Sequence, residues 1–147
     1  MSGPHTENRP AEVAGGEAGA IEGFTVTPGP VQLFCFSAAT WNPHRVHYDA
    51  DYCRDVEGYP GVVVPGPLQG AWLLELADSW AREQGLEVTS VEYRNVRAAY
   101  SGAELSVGAR VVKGPPDAAL EVWVAAADGE RHCAGVAHAR PAADQRD

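Results

Sequence analysis

The stretch GPLQGAWLLELADSWAREQG, residues 66–85, constrains this chain more than any other part of it. Leu68, Trp72, Leu76 and Trp80 recur every four residues, with Leu73 and Ala77 beside them. Glu75, Asp78 and Arg82 fall on the other side. That spacing is the period of an amphipathic α-helix. Gly66-Pro67 opens it, since a proline at a helix start gives up an N–H that would have had no partner there. Gly85 is a natural C-terminal stop. The apolar arc is wide, so the helix is expected to be largely wrapped by something concave. Asp78 and Arg82 form a favourably oriented i,i+4 pair, worth only about 0.2–0.5 kcal/mol.

After the helix the period changes to two. Residues 88–97, 104–112, 119–126 and 131–139 read as four strands. Asp128-Gly129 marks a tight hairpin between the last two. Before the helix, residues 31–36 (VQLFCF) form an apolar run that reads as a further strand. Residues 37–66 are rich in turn formers and read as a long structured loop with a helical piece around 49–55. A loop that long in a compact domain is usually functional. Residues 1–20 and 141–147 lack large apolar side chains almost entirely and read as tails. The expected folded unit is therefore 21–140: one helix against a twisted antiparallel sheet, an α+β arrangement.

Composition narrows the function. The chain has 147 residues, the size of one domain. Eleven Lys and Arg face twenty Asp and Glu, a formal charge of −9, which argues against nucleic acid or an anionic membrane surface as partner. No apolar run approaches the roughly 20 residues of a membrane span. No basic segment followed by an apolar run opens the chain, so no secretory signal is expected. Cys35, Cys53 and Cys133 are scattered and odd in number, which suits thiols in a reducing cytoplasm rather than a disulfide framework or a zinc site.

Polar chemistry crowds into WNPHRVHYD, Trp41 to Asp49. His44 and His47 are three apart, but no third ligand follows at a telling distance, so a metal site is not expected. The plainer alternative is a polar loop with one buried, hydrogen-bonded histidine. The following EGYPGVVVPGPL, residues 57–68, approaches the helix. The backbone N–H groups at a helix start lack intrahelical partners and attract an anion or a developing oxyanion. A plain turn needing Gly and Pro for their dihedrals is the competing reading. His132 and His138 lie six apart in the last strand, hence on one face, and with His5 read as structural or solvated.

The block SAATWNPHRVHYDADYCRDVEGYPGVVVPGPLQGAWLLELA resembles the MaoC-like dehydratase/hydratase family, which has the hotdog fold. It is most similar to the branch of type 2 3-hydroxyacyl-thioester dehydratases and mesaconyl-CoA hydratase-like proteins, which reads like TWNGHRIHYD and then EGYPGLVVHGPL. The likeness is dense from Phe36 to Ala77 and weaker over residues 93–107. It implies a hotdog domain in which one long helix is wrapped by the sheet. The wider family carries Asp-x-Asn-Pro-x-His, whose Asp and His act on a β-hydroxyacyl or enoyl thioester. Alignment places the family His at His47 and the position of its Asp at Asn42. Two departures follow. Asn42 does not titrate, and Pro65 stands where the branch has a histidine.

The resemblance implies a hydro-lyase acting on an acyl thioester of CoA or of a carrier protein, with no cofactor. The thioester oxygen would sit at the helix start, held by backbone N–H from Gly66 or Leu68. His47 would move the proton, and Asn42 would orient the hydroxyl or water. Arg45 could touch a CoA phosphate or pair with Asp49, and Tyr48 could line the substrate. Tyr48, Asp49, Asp55 and Glu57 are reserve acid/base candidates. Arg94 and Arg97 could form a local basic cluster for an acidic carrier protein. A homodimer is implied, since hotdog sheets usually pair edge to edge. Two other readings keep the fold: altered chemistry (thioesterase, isomerase or cyclase) in a biosynthetic pathway, or a non-catalytic acyl-binding subunit.

Overall fold

The computed structural model describes residues 19–143. The elements run β1 (Ala20–Val26), α1 (Pro30–Ala39), a 3-10 turn (Arg45–His47), α2 (Ala50–Tyr52), a wide helical turn (Cys53–Glu57), α3 (Gly66–Glu83), β2 (Leu86–Asn95), β3 (Leu105–Lys113), β4 (Ala118–Ala126) and β5 (Arg131–Pro141). The strands form one sheet in the order β1-β3-β4-β5-β2, antiparallel throughout. α3 packs across β2, β3, β4 and β5, which is the hotdog arrangement of a helix wrapped by a curved sheet. The expected limits of the unit, 21 and 140, compare with elements that run from Ala20 to Pro141. The tail readings for residues 1–18 and 144–147 lie outside the described residues.

α3 buries the face its spacing announces. Leu68, Trp72, Leu73, Leu76, Ala77 and Ala81 are buried and Trp80 is half-buried. They meet Leu105 and Val107 of β3, Leu120, Val122 and Val124 of β4, and Cys133 and Ala137 of β5 in one core. The Asp78–Arg82 pair forms at 2.8 Å on the outer face. Gly85 takes a φ of +68° just beyond the helix, the left-handed conformation that an α-helix stop favours.

Two features differ from the sequence reading. Residues 31–36 are not a strand but the body of α1. Pro30 sits in its first turn, and only Leu33 and Ser37, one turn apart, are buried. A short apolar run does not distinguish a strand from a helix, and a Gly-Pro start tips the backbone toward helix. The first strand lies instead at Ala20–Val26, pairing with β3 through a bulge between Ile21 and Phe24. The bulge breaks the alternation that would have announced it.

Candidate functional site

Three short segments build the site. α1 ends in a paired C-terminal motif: Trp41 N–H donates to Ala38 C=O at 3.2 Å, and Asn42 N–H donates to Ser37 C=O at 2.8 Å. This motif needs a left-handed residue, usually glycine, between cap and exit. Here Trp41 holds that place with a φ of +54° while 91% exposed. A bulky residue in that conformation is strained. The strain fixes where the chain leaves the helix, and so where Asn42 begins the polar loop. Asn42 Oδ1 accepts the His44 N–H at 3.1 Å, which folds the loop back on itself.

The second segment is 62–65, the approach to α3. Val63 N–H donates to Val46 C=O at 2.8 Å, and the half-buried His47 ring places Nδ1 2.8 Å from Val63 C=O. On its other side, Val64 N–H donates to Ala99 C=O and Ser101 N–H to Val62 C=O, both at 2.8 Å. The His47 loop is thus stitched to the strand-like lead into α3. A carbonyl accepts only, so Nδ1 carries the proton of the neutral ring and Nε2 is left as the basic nitrogen.

The third segment is the helix start itself. Gly66 is the first helical residue, and Pro67 follows with no N–H. The Leu68 N–H, expected to face a ligand, instead donates to Pro65 C=O at 3.1 Å, and its side chain is buried in the core. Leu68 is therefore removed from the set of free donors, because the first turn tightens onto the Pro65 carbonyl. Gly66 keeps an N–H with no partner inside the helix. Pro65, in the place of the expected histidine, is fully buried, and its side chain carries no polar group.

The remaining sequence-predicted residues are held by one another. Arg45 donates to Asp49 Oδ2 at 2.7 and 3.0 Å, and its guanidinium lies 4.3 Å over the Tyr52 ring. The alternative of an ion pair with Asp49 is the one realised. Asp49 also accepts the Tyr52 N–H at 3.0 Å, and that bond and the Arg45 contact hold its carboxyl below the usual range. Tyr48 donates to Pro43 C=O at 2.8 Å and meets Phe34 edge-on. Asp55 pairs with Arg54, and Glu57 accepts from the Tyr52 hydroxyl at 2.9 Å. All three reserve carboxylates are thus engaged. Arg97 is paired with Glu130, so the expected Arg94/Arg97 cluster is reduced to Arg94. His132 is half-buried and His138 exposed, on the strand face opposite buried Cys133 and Ala137.

A cleft of about 320 Å³ borders Asn42, lined also by Phe34, Ser37, Trp41, Pro43 and Tyr48. A larger one, about 600 Å³, lies at the other end of α3 around Trp80 and Glu83 and includes none of the sequence-predicted site residues. Among the described residues no group of three His, Cys, Asp or Glu is placed to hold a metal ion. Nor is any described helix long and apolar enough to cross a membrane. The sequence did not single out Asn95, the last residue of β2, which lies against Gly66. The signal for it is three-dimensional: 29 positions separate the two in the chain.

Known proteins are similar to this chain in sequence and in fold. The family model for hydroxyacyl-thioester dehydratase type 2 matches residues 3–101. Mesaconyl-C(4)-CoA hydratase of Chloroflexus aurantiacus is 58% identical over 53 residues, 36% of this chain and 19% of that protein. The mitochondrial hydroxyacyl-thioester dehydratase type 2 of Schizosaccharomyces pombe is 32% identical over 81 residues, 55% of this chain and 27% of that one. The alignments thus span under a third of the length of these curated relatives. Among solved structures, an (R)-hydratase from A. caviae involved in PHA biosynthesis superposes with a TM-score of 0.75 at 16% identity, covering 89% of this chain and 99% of that one. The ChsH1-ChsH2 complex from Mycobacterium tuberculosis gives 0.73 at 15% identity, over 85% of this chain and 98% of that one. At those identities the structures speak for the fold, and the hotdog fold is shared. The family model covers most of this sequence, including the His47 loop and the start of α3: the chain belongs to the hydroxyacyl-thioester dehydratase type 2 family.

Proposed function

We propose that this chain is a hydro-lyase that removes water from, or adds it to, an acyl thioester carried by CoA or a carrier protein. The observation that carries the reading is the His47–Val63 hydrogen bond. It anchors the ring through Nδ1 to the segment that delivers the N-terminus of α3 and leaves Nε2 as the basic nitrogen. In the dehydration direction the substrate is a 3-hydroxyacyl thioester. His47 Nε2 takes the proton from the α-carbon, and the electron pair of that C–H bond becomes the enolate of the thioester. The enolate oxygen lies at the α3 start, held by the Gly66 N–H in a position where positive dipole accumulates. The enolate then collapses to the α,β double bond, the β C–O bond breaks, and the same imidazolium gives its proton to the leaving hydroxide. The products are the enoyl thioester and one water; hydration runs the steps in reverse.

Asn42 does not titrate, so His47 handles both proton transfers, and Asn42 serves to hold the hydroxyl or water. Arg45, held by Asp49, and Tyr48, held by Pro43, shape the loop around the substrate. The buried Pro65 and the amide at position 42 support a second reading, in which the fold serves a thioesterase, isomerase or cyclase reaction, or binds acyl groups without turnover. The domain proposed for this work is the unit 21–140.

The unit is proposed to act as a homodimer. Among the described residues β2 is a ten-residue edge strand paired only with β5, which leaves its outer edge for a second β2 in an isologous contact. Cytoplasmic location is proposed from the free thiols of Cys35, Cys53 and Cys133, which suit a reducing compartment. The test of function is mass-spectrometric turnover of a panel of 3-hydroxyacyl and enoyl thioesters by wild type, His47→Ala and Asn42→Asp. A mass change of one water that disappears in His47→Ala is the expected result. Turnover unchanged in His47→Ala overturns the mechanism. Cleavage to free thiol, or binding without any product, favours the second reading.

A further inference from the structure

We infer that the Asn95 side-chain amide is the second donor to the thioester oxygen, beside the Gly66 N–H. The inference rests on the hydro-lyase reading and adds a residue to its site. The first turn of α3 is short of donors. Pro67 has no N–H, and the N–H groups of Leu68 and Gln69 both turn to Pro65 C=O, at 3.1 and 3.2 Å. Gly66 alone is left, whereas a developing oxyanion is ordinarily met by more than one aimed donor.

Asn95 fills that deficit by its placement. A Cβ at position 66 would collide with Asn95 Nδ2, and would lie 3.0 Å from Cγ and 3.4 Å from Oδ1. The amide nitrogen is thus the atom turned to the helix start, and glycine is the residue that admits it. Among the described residues the Asn95 side chain has no hydrogen-bond partner, and the residue is exposed, so its two N–H groups are open to a ligand.

The fold holds it there by a match of two periods. Asn95 pairs with buried Cys133 on β5, which fixes the end of β2. Two residues earlier on the same face, the Tyr93 ring covers Gly70 as Asn95 covers Gly66, and a Cβ at Gly70 would collide with that ring. Two strand residues advance about 6.6–6.8 Å and four helix residues about 6 Å, so the two strand–helix contacts reinforce one register. The Tyr93–Gly70 contact accounts for packing. The open amide of Asn95 is what packing does not require.

The test compares Asn95→Ala, Asn95→Asp and Tyr93→Leu with wild type, using kcat and KM on the best thioester of the panel. It also follows the carbonyl stretch of a bound ¹³C-labelled saturated acyl-CoA by difference infrared spectroscopy. Asn95→Ala is expected to lower kcat about 100- to 1,000-fold with KM within a few-fold, and to lose part of the carbonyl shift. Asn95→Asp is expected to be poorer still at neutral pH, because a carboxylate accepts rather than donates and repels an enolate. Tyr93→Leu, which disturbs packing alone, should lower the melting temperature while keeping the carbonyl shift. Asn95→Ala within three-fold of wild type in kcat, or matching Tyr93→Leu in every readout, overturns the inference. If wild type turns over no thioester yet shows an Asn95-dependent carbonyl shift, the donor role holds and the hydro-lyase reading falls. If neither is seen, both fall.

Discussion

His47 and Val63 are joined by a 2.8 Å hydrogen bond from the ring Nδ1 to the backbone carbonyl. The same residue, Val63, donates its N–H to Val46, the neighbour of His47 in sequence. One residue therefore fixes both the backbone and the ring of the polar loop. The tautomer of the proposed proton carrier is set by a peptide group, which cannot titrate. His47→Ala is expected to lower turnover by about 100- to 10,000-fold, the usual contribution of a positioned acid/base, while leaving the melting temperature close to wild type. Kinetics beside thermal unfolding check both halves.

Trp41 occupies a left-handed position that the C-terminal motif of α1 normally gives to glycine. Its side chain is 91% exposed, so little packing is lost on removal. Trp41→Gly is expected to stabilise the fold by about 1 kcal/mol, the left-handed cost of a side-chain residue less the greater unfolded-chain freedom of glycine. A chemical denaturation midpoint that falls rather than rises would show that the indole packs in solution.

Leu73 is fully buried at the centre of α3, against the sheet. Leu73→Ala is expected to cost about 2–5 kcal/mol, the range for removing a buried leucine side chain and leaving a cavity. The measurement is equilibrium unfolding in urea, which also shows whether the transition stays cooperative.

Glu121 on β4 accepts from Arg131 and from Arg110, each at 2.6 Å, joining β5 and β3 across the sheet. Those two guanidinium groups hold its carboxyl below the usual carboxylate range. A depressed carboxylate adds stability above its unfolded value, near about 4.3, and loses it as pH falls through the folded value. Glu121→Gln should therefore melt below wild type at pH 7, and the gap should narrow as pH falls below the ordinary carboxylate range. Melting curves across that window check the sign.

The three thiols should react in two classes. Cys35 is exposed, whereas Cys53 and Cys133 are buried, and burial pushes the Cys133 thiol up to about 11. Burial also raises Cys53, whose thiol donates to Val46 C=O at 3.1 Å. A thiolate-specific reagent at pH 8 is expected to label one cysteine in the native protein and three after unfolding. Mass spectrometry identifies the labelled site.

Much of this was legible in the residues because it is local. The period of four that runs through Leu68, Trp72 and Leu76 identifies α3, and alternation identifies β2 to β5, to within a few residues. The cluster from Trp41 to Asp49 could be picked out by its density of polar side chains and its likeness to a known motif. The same local logic failed at 31–36, where an apolar run suits two backbones, and at β1, where a bulge hides the alternation.

Chain order alone thus determined which segments are helix or strand wherever one period dominates, and which loop carries titratable groups. Partnership was decided only by the tertiary structure. The sheet order β1-β3-β4-β5-β2 carries β2 past its sequence neighbour to pair with β5, and that crossing lays Asn95 on Gly66. Arg45 turned to Asp49, Leu68 turned its N–H to Pro65, and His47 found Val63 sixteen residues away. Each of these is a choice among donors and acceptors that the sequence offers equally. What settles the choice is distance, and distance is fixed only when the sheet closes around the helix.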